Sequence, residues 1–354
     1  MSSWHKECGD CCACCRFTHR KTPQTSFERT GVGKTSQRSG KDRKRDPEPM
    51  ERAGFQHQAL IYEGDDEYLA GTVPFLRDAL EAGEPTLVSV GAAQAVLLEG
   101  ELGRDARGIR FLNMEEAGRN PAWIIPLWRE FVDENGGRAV RGVGEPVWTG
   151  RSPAALDECQ RHESLLNVAF APGTPWSLLC PYDAGSLEED VLENVAVSHR
   201  HVHRVGHSEE SAAFEAERDC FAGELPLPGA EPEAVPFGLA GLSAVRHRVA
   251  SAAERAGMGP VEVDDLVTAT SELAANSVMH GGGSGMLRLW REEGRLLIEV
   301  EDRGRIEEPL VGRLRPGIAQ EGGRGLWLAN QLCNLVQIRS GEAGTTIRLH
   351  FSCA

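Results

Sequence analysis

Long apolar runs are missing from this 354-residue chain. None reaches the ~20 residues that a membrane-spanning helix needs, and the N-terminal segment lacks the apolar core of a secretory signal. These absences lead us to expect a cytoplasmic protein whose ten cysteines are mainly reduced thiols. Positive charge is also scarce, with a net charge of −15. Residues 1–49 hold eleven Lys/Arg against six Asp/Glu, so the body beyond them carries −20. Such a body does not suit direct binding of nucleic acid or an anionic membrane. It suits a partner with basic patches, such as a DNA-binding transcription subunit.

A working phosphate loop is lacking too. Gly31-Val-Gly-Lys-Thr35 imitates the end of one, but Glu28 stands where the first glycine belongs and no apolar strand precedes it. Residues 1–49 have no core pattern and read as a disordered Cys-rich, basic tail. Cys8-x-x-Cys11 and Cys12-x-x-Cys15 have zinc-knuckle spacing within each pair, yet the pairs abut, with no loop to wrap around an ion. Met50 stands just before the first globular-looking sequence, which leads us to expect that the tail lies outside the working protein.

Beyond Met50 strands and helices alternate. Apolar stretches at 58–62, 86–90, 109–113, 139–148 and 176–180 read as strands, and 65–82, 92–102, 123–134, 153–170 and 187–199 as helices. Apolar rather than alternating strands predict a parallel sheet covered on both faces. His199, His201 and His203 read as a histidine-rich helix end, with His199 and His203 one turn apart. Residues 206–234 read as a linker, the stretch from Glu224 to Glu233 being rich in Pro and Glu.

In the last third, Thr268–His280 reads as a helix that places Glu272, Asn276 and His280 on one face. Leu266, Ala269, Leu273 and Ser277 form the neighbouring stripe that packs on a core, and glycines 281–283 stop the helix. A carboxylate can accept a proton, and a carboxamide oxygen suits Mg²⁺. By itself the same face serves equally well as a solvated one. Next come a strand ending in Asp302-Arg-Gly304, then Gly322-Gly-Arg-Gly325-Leu326 opening an apolar helix, then Gly344-Thr-Thr346 before a last strand. Glycines there let backbone approach phosphates at a helix N-terminus.

That order of motifs resembles the GHKL ATPase superfamily of gyrase, MutL and histidine kinases, over roughly 235–351. Glu-Leu-x-x-Asn-x-x-x-His, from Glu272 to His280, resembles the bacterial anti-sigma-factor serine/threonine kinases. Arg305 departs from the pattern, standing where many members have a second glycine. The resemblance implies a Bergerat-type α/β two-layer sandwich over 235–354 that binds ATP and Mg²⁺. It further implies transfer of phosphate to a Ser or Thr of a small STAS-type anti-anti-sigma antagonist, and inhibition of a sigma factor. In these terms Glu272 is the base, Asn276 the Mg²⁺ ligand, Asp302 the acceptor for the adenine amino group and Gly304 its close neighbour. Gly323 and Gly325 cradle phosphates, with Arg324 and Leu326 beside them, and Thr346 sits near the base. The first helix of this half, from Leu242, carries Arg246 and Arg248 on an implied partner or homodimer surface. The alternative is a nucleotide-dependent switch that grips partners without transferring phosphate.

Residues 50–205 resemble the MEDS sensory domain, a RecA-like αβα module. The resemblance rests on His57 with Tyr62, the helix end from Phe75 to Glu84, Gly144-Glu-Pro-Val-Trp148, Glu163-x-x-Leu-Asn167 and Cys180-Pro-Tyr-Asp183. His57, Cys180, Tyr182 and Asp183 are candidates for a ligand or redox site at strand ends, or are structural. A histidine-kinase relic is disfavoured, because no acidic neighbour or dimerising hairpin accompanies the histidines.

Overall fold

Glycines 142 and 144 set the centre of the first sheet. A Cβ at either would come within 3.0 Å of the Trp128 ring, so two bare backbone positions let that indole lie flat on the strand. The computed structural model describes residues 54–170, 173–216, 218–317 and 323–353. The expectations for the tail at 1–49 and for Gly322 lie outside them.

The first half runs β1 (Phe55–Tyr62), α1 (Gly64–Glu81), β2 (Thr86–Val90), α2 (Ala92–Leu102), β3 (Ile109–Asn113) and a short α3 (Met114–Ala117). It continues with α4 (Ile124–Glu134), β4 (Val140–Gly144), α5 (Pro153–Ala169), β5 (Trp176–Asp183), α6 (Glu189–Ser198), β6 (His201–Arg204) and β7 (His207–Glu210). The sheet order is β3-β2-β4-β5-β1-β6-β7. All pairings are parallel except β6 with β7. One face packs on α1 and α2 through Leu60, Leu76 and Leu98. The other packs on α4, α5 and α6 through Trp128, Leu165 and Val195. This is the three-layer αβα arrangement expected from strands that are apolar on both faces.

Strands β1 and β5 each run three residues longer than expected, and three larger differences follow. Strand β4 stops at Gly144 rather than running to Trp148, because Pro146 has no N–H for a ladder. The histidine-rich stretch is not a helix end. Helix α6 stops at Ser198, and His201–Arg204 pairs with β1, burying only Val202 of its four residues. His199 and His203 therefore share no helix face, and His203 Nε2 meets Gln58 Oε1 at 2.8 Å. Finally, β7 lies within the stretch read as linker, and the second sheet begins at Glu233.

The second half runs β8 (Glu233–Gly238), α7 (Leu242–Arg255), α8 (Pro260–His280), β9 (Ser284–Glu292), β10 (Arg295–Asp302), α9 (Arg324–Leu332), β11 (Leu335–Gly341) and β12 (Gly344–Ser352). Its antiparallel sheet has the order β11-β12-β10-β9-β8. Ile298, Val300, Ile347 and Leu349 pack on Val249, Leu273 and Ala329 of the three helices, giving two layers. No helix among the described residues is long and apolar enough to cross a membrane.

The halves meet through buried polar groups. Asn120 Nδ2 and Trp123 Nε1 donate to the Asn330 carbonyl at 3.0 and 2.7 Å, satisfying an end group of α9. Glu158 of α5 accepts from Arg313 and Arg339, each at 3.0 Å, and Asp157 also pairs with Arg339. Leu310 and Leu314 pack against the core of the first half.

Candidate functional site

Helix α8 starts at Pro260, whose missing N–H costs nothing there, and the Glu262 carboxylate accepts from the Gly259 N–H at 2.8 Å. Leu266, Ala269, Leu273 and Ser277 are buried, Glu272 and Asn276 half-buried, and His280 exposed. The helix therefore turns its amide and carboxylate to the edge of the core, as their spacing requires.

At the C-terminal end of α8 the strand β10 arrives with Asp302. Its Oδ2 accepts from the Ser277 hydroxyl at 2.6 Å and its Oδ1 from the Gly304 N–H at 2.7 Å. Charge-assisted bonds on both oxygens fix the carboxylate. A Cβ at Gly281 would lie 2.3 Å from Asp302 Cγ, and one at Gly304 would lie 2.8 Å from the His280 carbonyl oxygen. Helix end and strand end can meet this closely only through glycine.

At the other end of the site, Gly323 caps α9 with φ 76°, in the left-handed region. Gly325 is buried, and a Cβ there would lie 2.9 Å from Glu272 Oε2 and 3.2 Å from Asn276 Nδ2. The first turn of α9 thus lies against the carboxylate and the amide of α8. Arg324 is exposed at that turn, whereas Leu326 is buried over Gly312. Hydrogen-bond donors at a helix start, next to an amide oxygen and a carboxylate, form a donor set that fits a nucleotide phosphate with Mg²⁺.

Thr346 is not on this side of the sheet. In the ladder Asp302 faces Thr345 and Glu301 faces Thr346, and alternation sends Thr346 to the outer face. There it lines a groove of about 1200 Å³ with Arg305, Glu301 and Arg348. Thr345 is the residue at the Asp302 end. Its Oγ1 donates to the Gly304 carbonyl at 2.8 Å and contacts Ser340 Oγ at 2.7 Å. Sequence reasoning missed Thr345, and it counted Ser277 as part of the packing stripe. The signal for Thr345 was its parity with buried Ile347 and Leu349.

In the first half, His57, Cys180 and Tyr182 do come together, on the sheet face covered by α5 and α6. Glu163 and His199 join them, all five buried. Cys180 Sγ lies 3.4 Å from His57 Nε2, and Glu163 Oε2 lies 3.0 Å from His57 Nε2 and 3.2 Å from His199 Nε2. Burial, then the neighbouring His199, lowers His57 below the ordinary imidazole value. Burial pushes the Cys180 thiol and the Tyr182 hydroxyl well up, and Glu163 adds to it. Burial alone would raise Glu163 too, but the His199 and His57 rings against it hold it below the carboxylate range. Asp183 is turned away from this group. It lines a separate cavity of about 290 Å³ at the carboxyl ends of the strands, with Tyr62, Glu145 and Trp148. There the Tyr62 hydroxyl donates to Glu145 at 2.9 Å, and burial pushes the Glu145 carboxyl up to about 7.

No curated protein matches this chain. Among solved structures, the RsbU and RsbW domains of Rv1364c from Mycobacterium tuberculosis are similar at 21% identity with a TM-score of 0.27. That likeness covers 35% of this chain and 33% of the other, so the chain spans about a third of that structure. Residues 56–200 match the MEDS family (MEthanogen/methylotroph, DcmR Sensory domain), and residues 235–351 match the histidine kinase-like ATPase domain. The chain therefore joins a MEDS domain to a histidine kinase-like ATPase domain.

Proposed function

We propose that the chain is an ATP-binding anti-sigma-factor regulator with serine/threonine kinase activity, controlled by its MEDS domain. The observation that carries this reading is the seat of Gly325 against Glu272 and Asn276, with Asp302 held on the same helix through Ser277. Ser277 is five residues beyond Glu272, about 7.5 Å along the axis. A base-recognising carboxylate and a phosphate-facing pair thus stand at one helix, spaced for one nucleotide.

In this reading Asp302 accepts from the adenine amino group, and Gly304 leaves room for the ring. The backbone around Gly323 and Gly325 meets phosphate, with Arg324 beside it. Asn276 would hold Mg²⁺, which supplies charge neutralisation at the phosphates. Glu272 takes the proton from a Ser or Thr hydroxyl of the acceptor protein, a small STAS-type antagonist. The acidic body suits a sigma factor with basic patches as the second partner.

The runner-up is a switch that binds nucleotide and partners without transfer. Arg305, in the place of the second glycine and lining the outer groove, is the observation in its favour. Radiolabelled phosphate transfer from ATP to a small STAS-type antagonist protein separates the two. Transfer that depends on Glu272 supports the kinase. ATP and partner binding without transfer leaves the switch.

A further inference from the structure

His57, Glu163, Cys180 and His199 come from β1, α5, β5 and the end of α6, and all four are buried. One donor atom from each lies within 4.8 Å of all the others. Tetrahedral Zn²⁺ with nitrogen, oxygen and sulfur ligands sets its donors about 3.3–3.8 Å apart. The 3.4 Å contact between Cys180 and His57 is of that size, and the 3.0 and 3.2 Å contacts of Glu163 with the two imidazoles fall a few tenths of an ångström short of it.

The surrounding hydrogen bonds determine what these atoms offer. Asn167 Nδ2 donates to the Ser198 carbonyl at 2.8 Å, which fixes the amide and turns its oxygen toward His57 Nδ1 at 3.2 Å. An amide oxygen only accepts, so Nδ1 carries the proton, and in the neutral ring Nε2 then presents a lone pair. His199 Nδ1 lies 3.0 Å from the Val195 carbonyl, with the same result. Two imidazole lone pairs therefore converge on a carboxylate. The Cys180 thiol can supply one proton among them, which is too few. Glu163 Oε1 and His199 Nε2 lack a hydrogen-bond partner among the described residues. Buried acceptors in this number need a cation.

We infer that His57 Nε2, His199 Nε2, Glu163 and Cys180 Sγ hold one divalent transition-metal ion, Zn²⁺ by ligand type, in a closed four-coordinate site. Binding forms the metal–sulfur bond and releases the Cys180 proton to solvent. Thiolate and carboxylate then balance the two positive charges, so the filled site is neutral in a dry core. Asn167 and the Val195 carbonyl act as the outer partners that orient metal-bound histidines.

The test uses the full chain with Cys8, Cys11, Cys12, Cys14 and Cys15 replaced by Ser, so that the tail contributes no thiolate. This protein is expressed with Zn²⁺ or Co²⁺ and its metal content is measured after gel filtration. About one equivalent is expected, and the Co²⁺ form should show intense tetrahedral d–d bands and a thiolate charge-transfer band. Cys180→Ser should lose the charge-transfer band, and Asn167→Ala should weaken metal affinity about 10–100-fold. If the folded parent holds under about a tenth of an equivalent and gives no cobalt spectrum, the site is not a metal centre. A spectrum unchanged in Cys180→Ser would overturn the ligand set. Both decisive measurements are made on protein shown to be folded by circular dichroism, so a variant that fails to fold leaves the parent's metal content to decide.

Discussion

Glu158 in the MEDS domain and Arg313 in the ATPase domain form a buried ion pair at 3.0 Å, with side chains 3% and 8% exposed. Arg313 lies eleven residues after Asp302, in the segment that leads from Asp302 toward Gly323. Glu158→Ala leaves Arg313 buried without its carboxylate and Arg339 with Asp157 alone. Loss of one partner from such a group costs about 3–5 kcal/mol. Urea denaturation should show that loss, and an unchanged midpoint would remove the ion pair from any account of stability.

Asp302→Asn should weaken ATP binding by roughly 1–3 kcal/mol, the range for a lost hydrogen bond to a charged group. Ser277→Ala should weaken it less, because it frees the carboxylate without removing it. Calorimetric titration with ATP and GTP reads both effects. Equal affinity for the two nucleotides in the parent protein would argue against Asp302 as the adenine acceptor.

Glu272→Ala should spare ATP affinity and lower phosphate transfer by about 10²–10⁴-fold, the usual contribution of a general base. Asn276→Ala should weaken Mg-ATP binding and transfer together. Gly325→Ala forces a methyl against Glu272 Oε2 and Asn276 Nδ2. A displacement of that kind costs about 10²-fold in transfer, while the melting temperature stays near that of the parent. Transfer unaffected by all three changes would leave the chemistry elsewhere.

The Glu145 carboxyl gives a pH signature. Its folded value of about 7 lies above the unfolded 4.5. Its stabilising share is therefore fully present below pH 4.5 and is lost as pH rises through about 7. Glu145→Gln removes the titration, and its Oε1 can still accept from Tyr62. The variant should gain stability relative to the parent between pH 5 and pH 8, by roughly 3 kcal/mol at most. Parallel denaturation curves at those two pH values measure it, and a pH-independent difference would show that Glu145 does not titrate there.

The parallel order of the first half was legible because its strands are apolar on both faces, and the α8 stripe because Leu266, Ala269 and Leu273 repeat at helical spacing. Residues whose role depends on a partner far along the chain were less legible. His199 looked like part of a solvated helix end, but Glu163, 36 positions earlier, draws it into the core. Thr346 and Thr345 are indistinguishable by type, and only the register against Asp302 separates them. Glu158 and Arg339 sit 181 positions apart, and no local pattern announces such a pair.

Leu310 and Leu314 belong in sequence to the ATPase domain, yet they pack against the core of the MEDS domain. The family boundaries at 200 and 235 therefore do not divide the chain into parts that are each whole. An ATPase half excised at its boundary would expose two leucines and leave Arg313 without the carboxylate that neutralises it. Each half is finished by residues of the other, so the smallest mechanically whole piece of this protein is both domains together.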